Sequence, residues 1–440
     1  MRLLDRVTPG RISFPGLSLL MIMLCLLMAP GFAVAHLPSL FGKEYIRAEP
    51  SLPSEPGTEA TPLEIEAGDP TPYEEQLADV ALRDGPYASG LTDPLAGVAQ
   101  IYKQRGDYDD AIEAYRRALH LIRVNDGLKS ERQIPLLRDL MEIYRIKGDG
   151  KALDDAYHYY FNVHGNGHPP YSDASIAASL EYMAWQREAF GVGIGGKTRS
   201  RARAVQAYLR NGEIIEAMNA QPAINQAWYE QVVLSQMANL YLILGEELED
   251  NPAIGMPSGE MYGAELRSEH YVRDRIAVIQ QSGEKLGRRL LEGLIERADA
   301  ASETQRAGYY LELGDWSQWN GSLRRANEAY TIAESILRAE SEDELLLQWF
   351  SEPMELPDER RLWRSSHGLS REQHPVLTAR YDVNEKGDVR NVVISRDDDP
   401  EPPQAGRLKR LLRDTHFRPQ FSRGQPVPAT GLERYYQIID

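Results

Sequence analysis

Apolar and polar residues over positions 92–121 are spaced as in two amphipathic helices separated by a turn at Gly106. Small residues fall where the two helix backbones would cross, and large ones fall between the helices. The small residues are Ala99, Ala111 and Ala118, and the large ones are Leu95, Tyr102, Tyr108, Tyr115 and Leu119. This pattern predicts a helical hairpin. Because such a hairpin cannot bury its apolar face alone, we expect neighbouring copies along the chain.

Further copies of the pattern follow. One copy, aligned on Gly148, has Leu140, Met141 and Tyr144 on its first helix, and another, aligned on Gly321, covers residues 306–337. Other helical patterns lie at 73–83, 172–189, 198–218, 222–248 and 265–300. No second helix is recognisable directly after 222–248, where the Pro- and Gly-rich stretch 251–263 predicts a long loop. The chain therefore predicts four or five helical hairpins over residues 73–340.

The residue spacing of the first hairpin closely resembles the tetratricopeptide repeat. Counted from Thr92 as position one, Tyr102 falls at 11, Gly106 at 15, Ala111 at 20 and Tyr115 at 24. The resemblance implies an α-solenoid whose first helices line a groove for a protein partner. The longer spacing to the second copy resembles the kinesin-light-chain style of such arrays.

The periodicity changes from helix to strand near the C-terminal end. Residues 341–373 contain Pro353 and Pro357 and predict a linker. From 374 to 440 the sequence predicts a β-hairpin with its turn at 384–387, a helix over 404–415, and two short strands around Pro426 and over 435–439. The predicted fold is thus mainly α, a helical solenoid followed by a small α+β domain with a ββαβ order.

The C-terminal element order and its short motifs resemble the TonB C-terminal domain. The motifs are Gly387-Asp388-Val389, Phe417-Arg418-Pro419, Gly424-Gln425-Pro426-Val427 and a closing aromatic strand. The resemblance implies a module that pairs with envelope partners through an edge strand. In that family the domain follows an inner-membrane anchor and a long Pro-rich spacer, whereas this chain has an acidic segment and a solenoid there.

The N-terminal residues predict export. Three arginines precede an apolar run over 17–28, and Pro30-Gly31 and then Ala33-Val34-Ala35 follow it, which is the pattern of a signal peptide (1–35) cleaved near Ala35. The alternative is an uncleaved inner-membrane anchor. Residues 36–72 are acidic and Pro-rich and predict a disordered tether. The single cysteine, Cys25, lies inside the apolar run, so cleavage would leave no thiol.

Charge separates the two predicted domains. The formal net charge is −17, and loss of three Arg and one Asp with residues 1–35 makes the remainder about −19, which argues against nucleic-acid binding. Residues 374–440 are close to neutral, with eleven basic and ten acidic side chains. The candidate partner-binding residues are the basic ones on and after the C-terminal helix: Arg407, Lys409, Arg410, Arg413, Arg418 and Arg423. A solvated basic face is the alternative.

Two stretches have the residues of small-ligand sites without their context. Residues 191–198 match the phosphate-loop formula through Gly191, Gly196, Lys197 and Thr198, but an amphipathic helical pattern precedes them where a buried strand is required. A glycine-rich turn between helices is therefore expected. His158, His164 and His168 cluster without a ligand-spaced carboxylate or cysteine, which favours a polar loop over a metal site.

No motif for catalysis stands out, because the sequence has neither a Gly-x-Ser-x-Gly elbow nor a His-Glu-x-x-His pair. We expect no cofactor. The sequence predicts a non-catalytic periplasmic scaffold that binds envelope proteins through the solenoid groove and the C-terminal module. The alternatives are a TonB-type energy transducer anchored by an uncleaved N-terminus and, more remotely, a nucleotide-binding protein.

Overall fold

The computed structural model describes residues 45–48, 68–220, 226–246, 263–298, 302–357, 376–396, 399–400 and 402–438. Over these residues the fold is mainly helical, with a small strand-rich region at the C-terminal end. The predicted signal peptide and most of the predicted tether lie outside the described residues. No described helix is long and apolar enough to span a bilayer.

Ten helices form five consecutive pairs after a single leading helix, and together they are called the helical array here. The leading helix is α1 (Thr71–Asp84), and the pairs are α2 (Thr92–Arg105) with α3 (Tyr108–Asp126), α4 (Ile134–Ile146) with α5 (Gly150–Val163), α6 (Asp173–Gly191) with α7 (Gly196–Ala220), α8 (Gln226–Leu244) with α9 (Gly263–Glu296), and α10 (Glu303–Trp319) with α11 (Leu323–Ala339). The helices α2, α4, α6, α8 and α10 are called first helices, and their partners second helices.

The turns within the pairs follow the sequence closely. Gly106, Gly148 and Gly321 adopt positive φ angles of 83°, 68° and 75°, a conformation that costs glycine little. The predicted hairpins are confirmed at these three places. The structure also supplies the second helix that was not recognisable after 222–248, because α9 begins at Gly263 and packs against α8.

The buried side chains of the array form two main apolar clusters. The first runs from α1 to α7 and includes Leu95, Tyr115 and Trp185, and the second runs from α6 to α10 and includes Met237 and Trp316. The small residues of the first hairpin are fully buried, as the close approach of α2 and α3 requires: Ala99, Ala111 and Ala118. The apolar spacing in the sequence therefore marks the core.

The C-terminal region adds a short helix, α12 (Asp343–Phe350), and a set of strands. The strands and the remaining helix are β2 (Met354–Glu355), β3 (Leu377–Val383), β4 (Val389–Ser395), α13 (Ala405–Asp414), β5 (Phe417–Arg418), β6 (Gln420–Ser422), β7 (Gln425–Val427) and β8 (Ala429–Ile438). The predicted hairpin is formed by β3 and β4, and α13 packs on β4 through Leu408 and Leu412.

Two predictions about connecting segments are wrong in part. The predicted tether contains a strand, β1 (Tyr45–Ala48), which pairs with β8 and gives a four-stranded antiparallel sheet in the order β1-β8-β3-β4. The predicted linker contains α12 and β2, and β2 pairs with β5. The strands β1 and β2 have only four and two residues, so neither shows a hydrophobic period, and pairing with distant residues fixes both of them.

Candidate interaction surfaces

Charged side chains on neighbouring first helices pair with one another. Lys103 on α2 lies 2.7 Å from Asp139 and 2.6 Å from Glu142 on α4. In the next step, Arg138 on α4 binds Glu181 on α6 at 2.9 Å, and Arg145 makes a two-point contact with Glu188. These contacts form a ladder of ion pairs between successive first helices.

Between the next two first helices, α6 and α8, the contact is not an ion pair. Arg187 on α6 is 6% exposed and donates to the hydroxyl and carbonyl oxygens of Ser235 and to Asn239 Oδ1 on α8. All three acceptors are neutral. Burial lowers the pKa of Arg187 to about 10, because no carboxylate offsets the cost of moving the guanidinium out of water.

A buried carboxylate joins three helices near this point. Asp154 on α5 is 4% exposed, and it accepts hydrogen bonds from Trp185 Nε1 at 2.8 Å and from Arg203 at 2.8 and 2.6 Å. Burial by itself would raise the pKa of Asp154, but hydrogen bonds from His158, Arg203 and Trp185 outweigh it and lower the pKa well below its usual range. This network is an internal tie between α5, α6 and α7.

Two cavities open where two successive second helices meet the first helix between them. The first, of about 370 Å³, lies between α3, α4 and α5. In it, Arg123 lies over the ring of Tyr159 at 4.1 Å, and Arg116 donates to the hydroxyl of Tyr144 at 3.1 Å. Asp155 on α5 completes the polar lining.

The second cavity repeats this arrangement one pair further along. It has a volume of about 410 Å³ and lies between α5, α6 and α7. Phe161 and Tyr182 stack at 4.1 Å and form an aromatic wall, and Arg210 pairs with Glu213 at 2.8 Å. Both cavities therefore combine an aromatic surface with a cation and a carboxylate, and α5 contributes residues to each of them.

The three clustered histidines have separate environments. His158 contacts Asp154, with Nδ1 2.8 Å from its carbonyl oxygen and 3.4 Å from its carboxylate, while His168 lies 3.4 Å from Arg210. His164 packs edge to face on Tyr160. Within the described parts of the chain, no group of three or more potential metal ligands comes together.

Two of these histidines should contribute to stability with opposite dependence on pH. The hydrogen bond to Asp154 raises the pKa of His158, so its stabilisation is complete below about pH 6.5 and is lost as pH rises through its folded-state value. Burial lowers the pKa of His164, so its contribution is lost as pH falls. We expect His158→Gln to cost more stability at pH 5.5 than at pH 8.5, and His164→Gln to show the reverse. Urea unfolding of the wild type and both variants at the two pH values measures these losses. A loss of unfolding free energy that is the same at both pH values would contradict the assignment.

The strand-rich region is fixed to the last helical pair by a buried ion pair. Arg418 of β5 is 1% exposed and contacts the carboxylate of Asp315 on α10 twice, at 2.7 and 2.6 Å. Arg418 also donates to the Trp349 carbonyl at 2.9 Å, and the Tyr330 hydroxyl donates to Asp315. The arginine of the Phe417-Arg418-Pro419 motif therefore acts inside the molecule.

Backbone groups of the strand-rich region bind the same two helices. The Gln318 side-chain amide donates to the carbonyls of Lys386 and Phe417, at 2.7 and 3.0 Å. Glu334 on α11 accepts from the backbone amides of Arg423 and Gly424, at 2.9 and 2.5 Å. The 374–440 region is thus built onto the array at several points.

The predicted basic binding residues separate into two groups. Arg418 is wrong as a surface binding residue, because it is buried against Asp315. Arg410, Arg413 and Arg423 are exposed, while Arg407 and Lys409 are half-buried. The structure brings Arg407, Lys409, Arg410 and Arg413 together on α13, and it places Arg423 in the β6–β7 turn with a positive φ of 52°.

The phosphate-loop-like residues lie between two helices. Gly191 ends α6, Gly196 begins α7, and Gly193, Gly195 and Gly196 have positive φ angles. A helix therefore occupies the place where a phosphate-binding loop needs a strand. The side chains of Lys197 and Thr198 lie outside what the structure describes.

Comparison with known proteins adds no relative. No family model and no curated protein matches the sequence. The sequence analysis did not predict the two cavities or the ladder, because each depends on which faces of separate helices meet. The arginines and tyrosines at helical spacing were the sequence signal that could have indicated the cavities.

Proposed function

We propose that this protein is a non-catalytic scaffold for protein partners in the bacterial envelope, built from a tetratricopeptide-like solenoid and a module similar to the TonB C-terminal domain. The observation that carries the proposal is the series of five helical pairs with two cavities at equivalent positions, each lined by two second helices and the first helix between them. Stacked pairs of this kind present a long, rigid surface, which suits binding an extended partner.

The partner segment binds along the two cavities. Their spacing by one helical pair fits a chain that presents a side chain to each cavity, and Arg123 and Arg210 with Asp155 and Glu213 suit partners of mixed charge. The charged side chains of the first helices are less suited, since Lys103, Arg138 and Arg145 already pair with neighbouring carboxylates. The expectation that first helices line the groove is kept only in part, because Tyr144 of α4 and Tyr182 of α6 line the cavities together with second-helix residues.

The C-terminal module supplies a second surface held in a fixed position. The buried contact between Arg418 and Asp315 supports this, because it joins the module to the helical pair beside it. Such a joint suits a scaffold that holds two partners in a defined relation. It suits an energy transducer less, since that class carries its C-terminal domain at the end of a long spacer.

Export, cleavage near Ala35 and a periplasmic location are part of the proposal and rest on the sequence pattern alone. The energy-transducer alternative needs the apolar N-terminus retained as an anchor, and N-terminal sequencing of the cellular protein separates the two. Nucleotide binding through residues 191–198 is disfavoured by the helix that precedes them.

The proposal is tested by capturing partners with matched surface variants. We expect the variant with both Arg116→Glu and Arg210→Glu to capture at least about tenfold less of its envelope partner than the wild type. Each change reverses a charge in one cavity. The control is Arg117→Glu combined with Arg289→Glu, both exposed residues outside the cavities. Cross-linking in envelope extracts with quantitative mass spectrometry measures the loss. Equal retention by the two variants rejects the cavities as the site, and no specific partner of the wild-type chain rejects the scaffold.

A further inference from the structure

The outer edge of the C-terminal sheet is occupied by a strand from the other end of the same chain. β1 pairs antiparallel with the last four paired residues of β8, in the register Tyr45 with Ile438, Ile46 with Gln437, Arg47 with Tyr436 and Ala48 with Tyr435. No other described strand pairs with this edge of β8. Without β1, the backbone amides and carbonyls along this edge of β8 would be free to pair with another strand.

The two edges of the sheet differ in how they are protected. On β4, Asn391 has a positive φ of 53° near a register shift against β3, and the charged side chain of Arg390 is exposed. Irregular, charged edges of this kind resist pairing with further strands. On β8, the four pairs with β1 follow one another from Tyr435 to Ile438 without a register shift, so this segment is a regular edge.

Pairing with partners through an edge strand is what the resemblance to the TonB C-terminal domain implies. We propose that Tyr45–Ala48 is a built-in occupant of the β8 edge, which a partner strand must displace. The partner is a protein strand that adds antiparallel to β8. The proposal rests on the proposed function only in that an envelope protein supplies that strand. The site and its occupancy belong to this chain alone.

The occupant is held weakly enough to be displaced. β1 has four residues, and the entropy lost when four residues are ordered is comparable with what their ladder hydrogen bonds return. Its advantage over a partner is that it belongs to the same chain, which raises its effective concentration at the edge. A longer or better-matched partner strand can overcome that advantage.

One group at the edge shows that the match is incomplete. Gln437 Oε1 is buried and has no hydrogen-bond donor among the described residues. The register places Ile46, a residue without a side-chain donor, opposite Gln437. A buried acceptor without a donor weakens the pairing. The geometry therefore favours partner strands that carry a side-chain donor, such as threonine, at the position of Ile46.

The test uses the chain from His36 onward and a labelled peptide with the sequence of residues 42–50, GKEYIRAEP. Ile46→Pro combined with Arg47→Pro removes two consecutive amides from β1, one of which is a ladder donor whatever the parity of the pairing. The control, Glu59→Pro combined with Ala60→Pro, puts the same two prolines outside β1. Fluorescence anisotropy should show the peptide binding the first variant at least about tenfold more tightly than the wild type or the control. A peptide with threonine for Ile46 should bind about fivefold more tightly still.

Hydrogen exchange at Tyr435 to Ile438 gives a second measurement. The amides of this segment that point towards β1 should exchange at least about tenfold faster in the Ile46→Pro, Arg47→Pro variant than in the wild type, while the amides that point towards β3 should change little. Equal exchange overturns occupancy by β1, and protection that depends on protein concentration overturns occupancy within one chain. Faster exchange without peptide binding overturns the peptide site. If the peptide binds as expected but extracts yield no partner, the proposed scaffold function fails while this inference stands.

Discussion

Asp315→Asn is expected to destabilise the protein by about 3–5 kcal/mol. The change removes one charge of the buried pair with Arg418 and leaves a guanidinium that is 1% exposed without its counter-charge. The asparagine keeps the shape of the side chain and an oxygen for the Tyr330 hydroxyl, so the loss reports on charge and not on volume. Urea unfolding followed by circular dichroism measures it.

Two further variants distinguish a buried ion pair from a general packing effect. Glu328→Gln removes the partner of Arg324 in an exposed pair, with side chains 78% and 57% exposed, and should cost less than about 0.5 kcal/mol. Asp315→Leu combined with Arg418→Met should recover most of the stability, because neither charge is then buried alone. A loss from Asp315→Asn no larger than that from Glu328→Gln would contradict the role of this pair.

Gly387→Ala is expected to lower the free energy of unfolding by about 2–5 kcal/mol. Gly387 ends the β3–β4 turn at a φ of 82°, where an alanine pays about 1–2 kcal/mol. A methyl group there would also overlap the Phe417 carbonyl oxygen and the Gln318 amide, which are the groups that join this turn to β5 and α10. Overpacking of this kind adds about 1–3 kcal/mol.

Gly431→Ala is the matched control for this prediction. Gly431 has a φ of 66°, and its amide donates to Asp382 at 2.8 Å, but a methyl group there would meet nothing within 4 Å. It should lose only the backbone term of about 1–2 kcal/mol. Thermal unfolding of the two variants side by side gives the difference. Equal losses would show that the close approach of the turn to Phe417 contributes nothing.

Local patterns predicted most of the helices. The spacing of Ala99, Ala111 and Tyr115, with Gly106 between the helices, fixes a hairpin because each feature acts within a few residues. The prediction for the C-terminal hairpin succeeded for the same reason, since Leu377 to Val383 alternate and a glycine turn follows. Elements of two to four residues, such as β1, β2 and β5, have too little sequence to show a period.

The candidate sites were less predictable than the fold. Arg418 has the composition of a surface residue, and its sequence neighbours do not show that Asp315, 103 positions away, neutralises it. The cavities near Arg123 and Arg210 likewise exist only because separate helices meet there. Residue type predicted the positive charge of Arg418, whereas the cavities were not predicted, and only tertiary contacts decided which of these groups stay available.

The sequence by itself determined the helical pairs, their glycine turns and the alternating strands, because backbone propensity and burial periodicity are short-range properties. The tertiary structure alone decided that Arg418 holds the C-terminal region in place, that first-helix charges pair across the array, and that Tyr45–Ala48 covers the edge of β8. Each of these is a contact between residues tens to hundreds of positions apart. The free energy of such contacts depends on burial and geometry, which no local stretch of sequence contains.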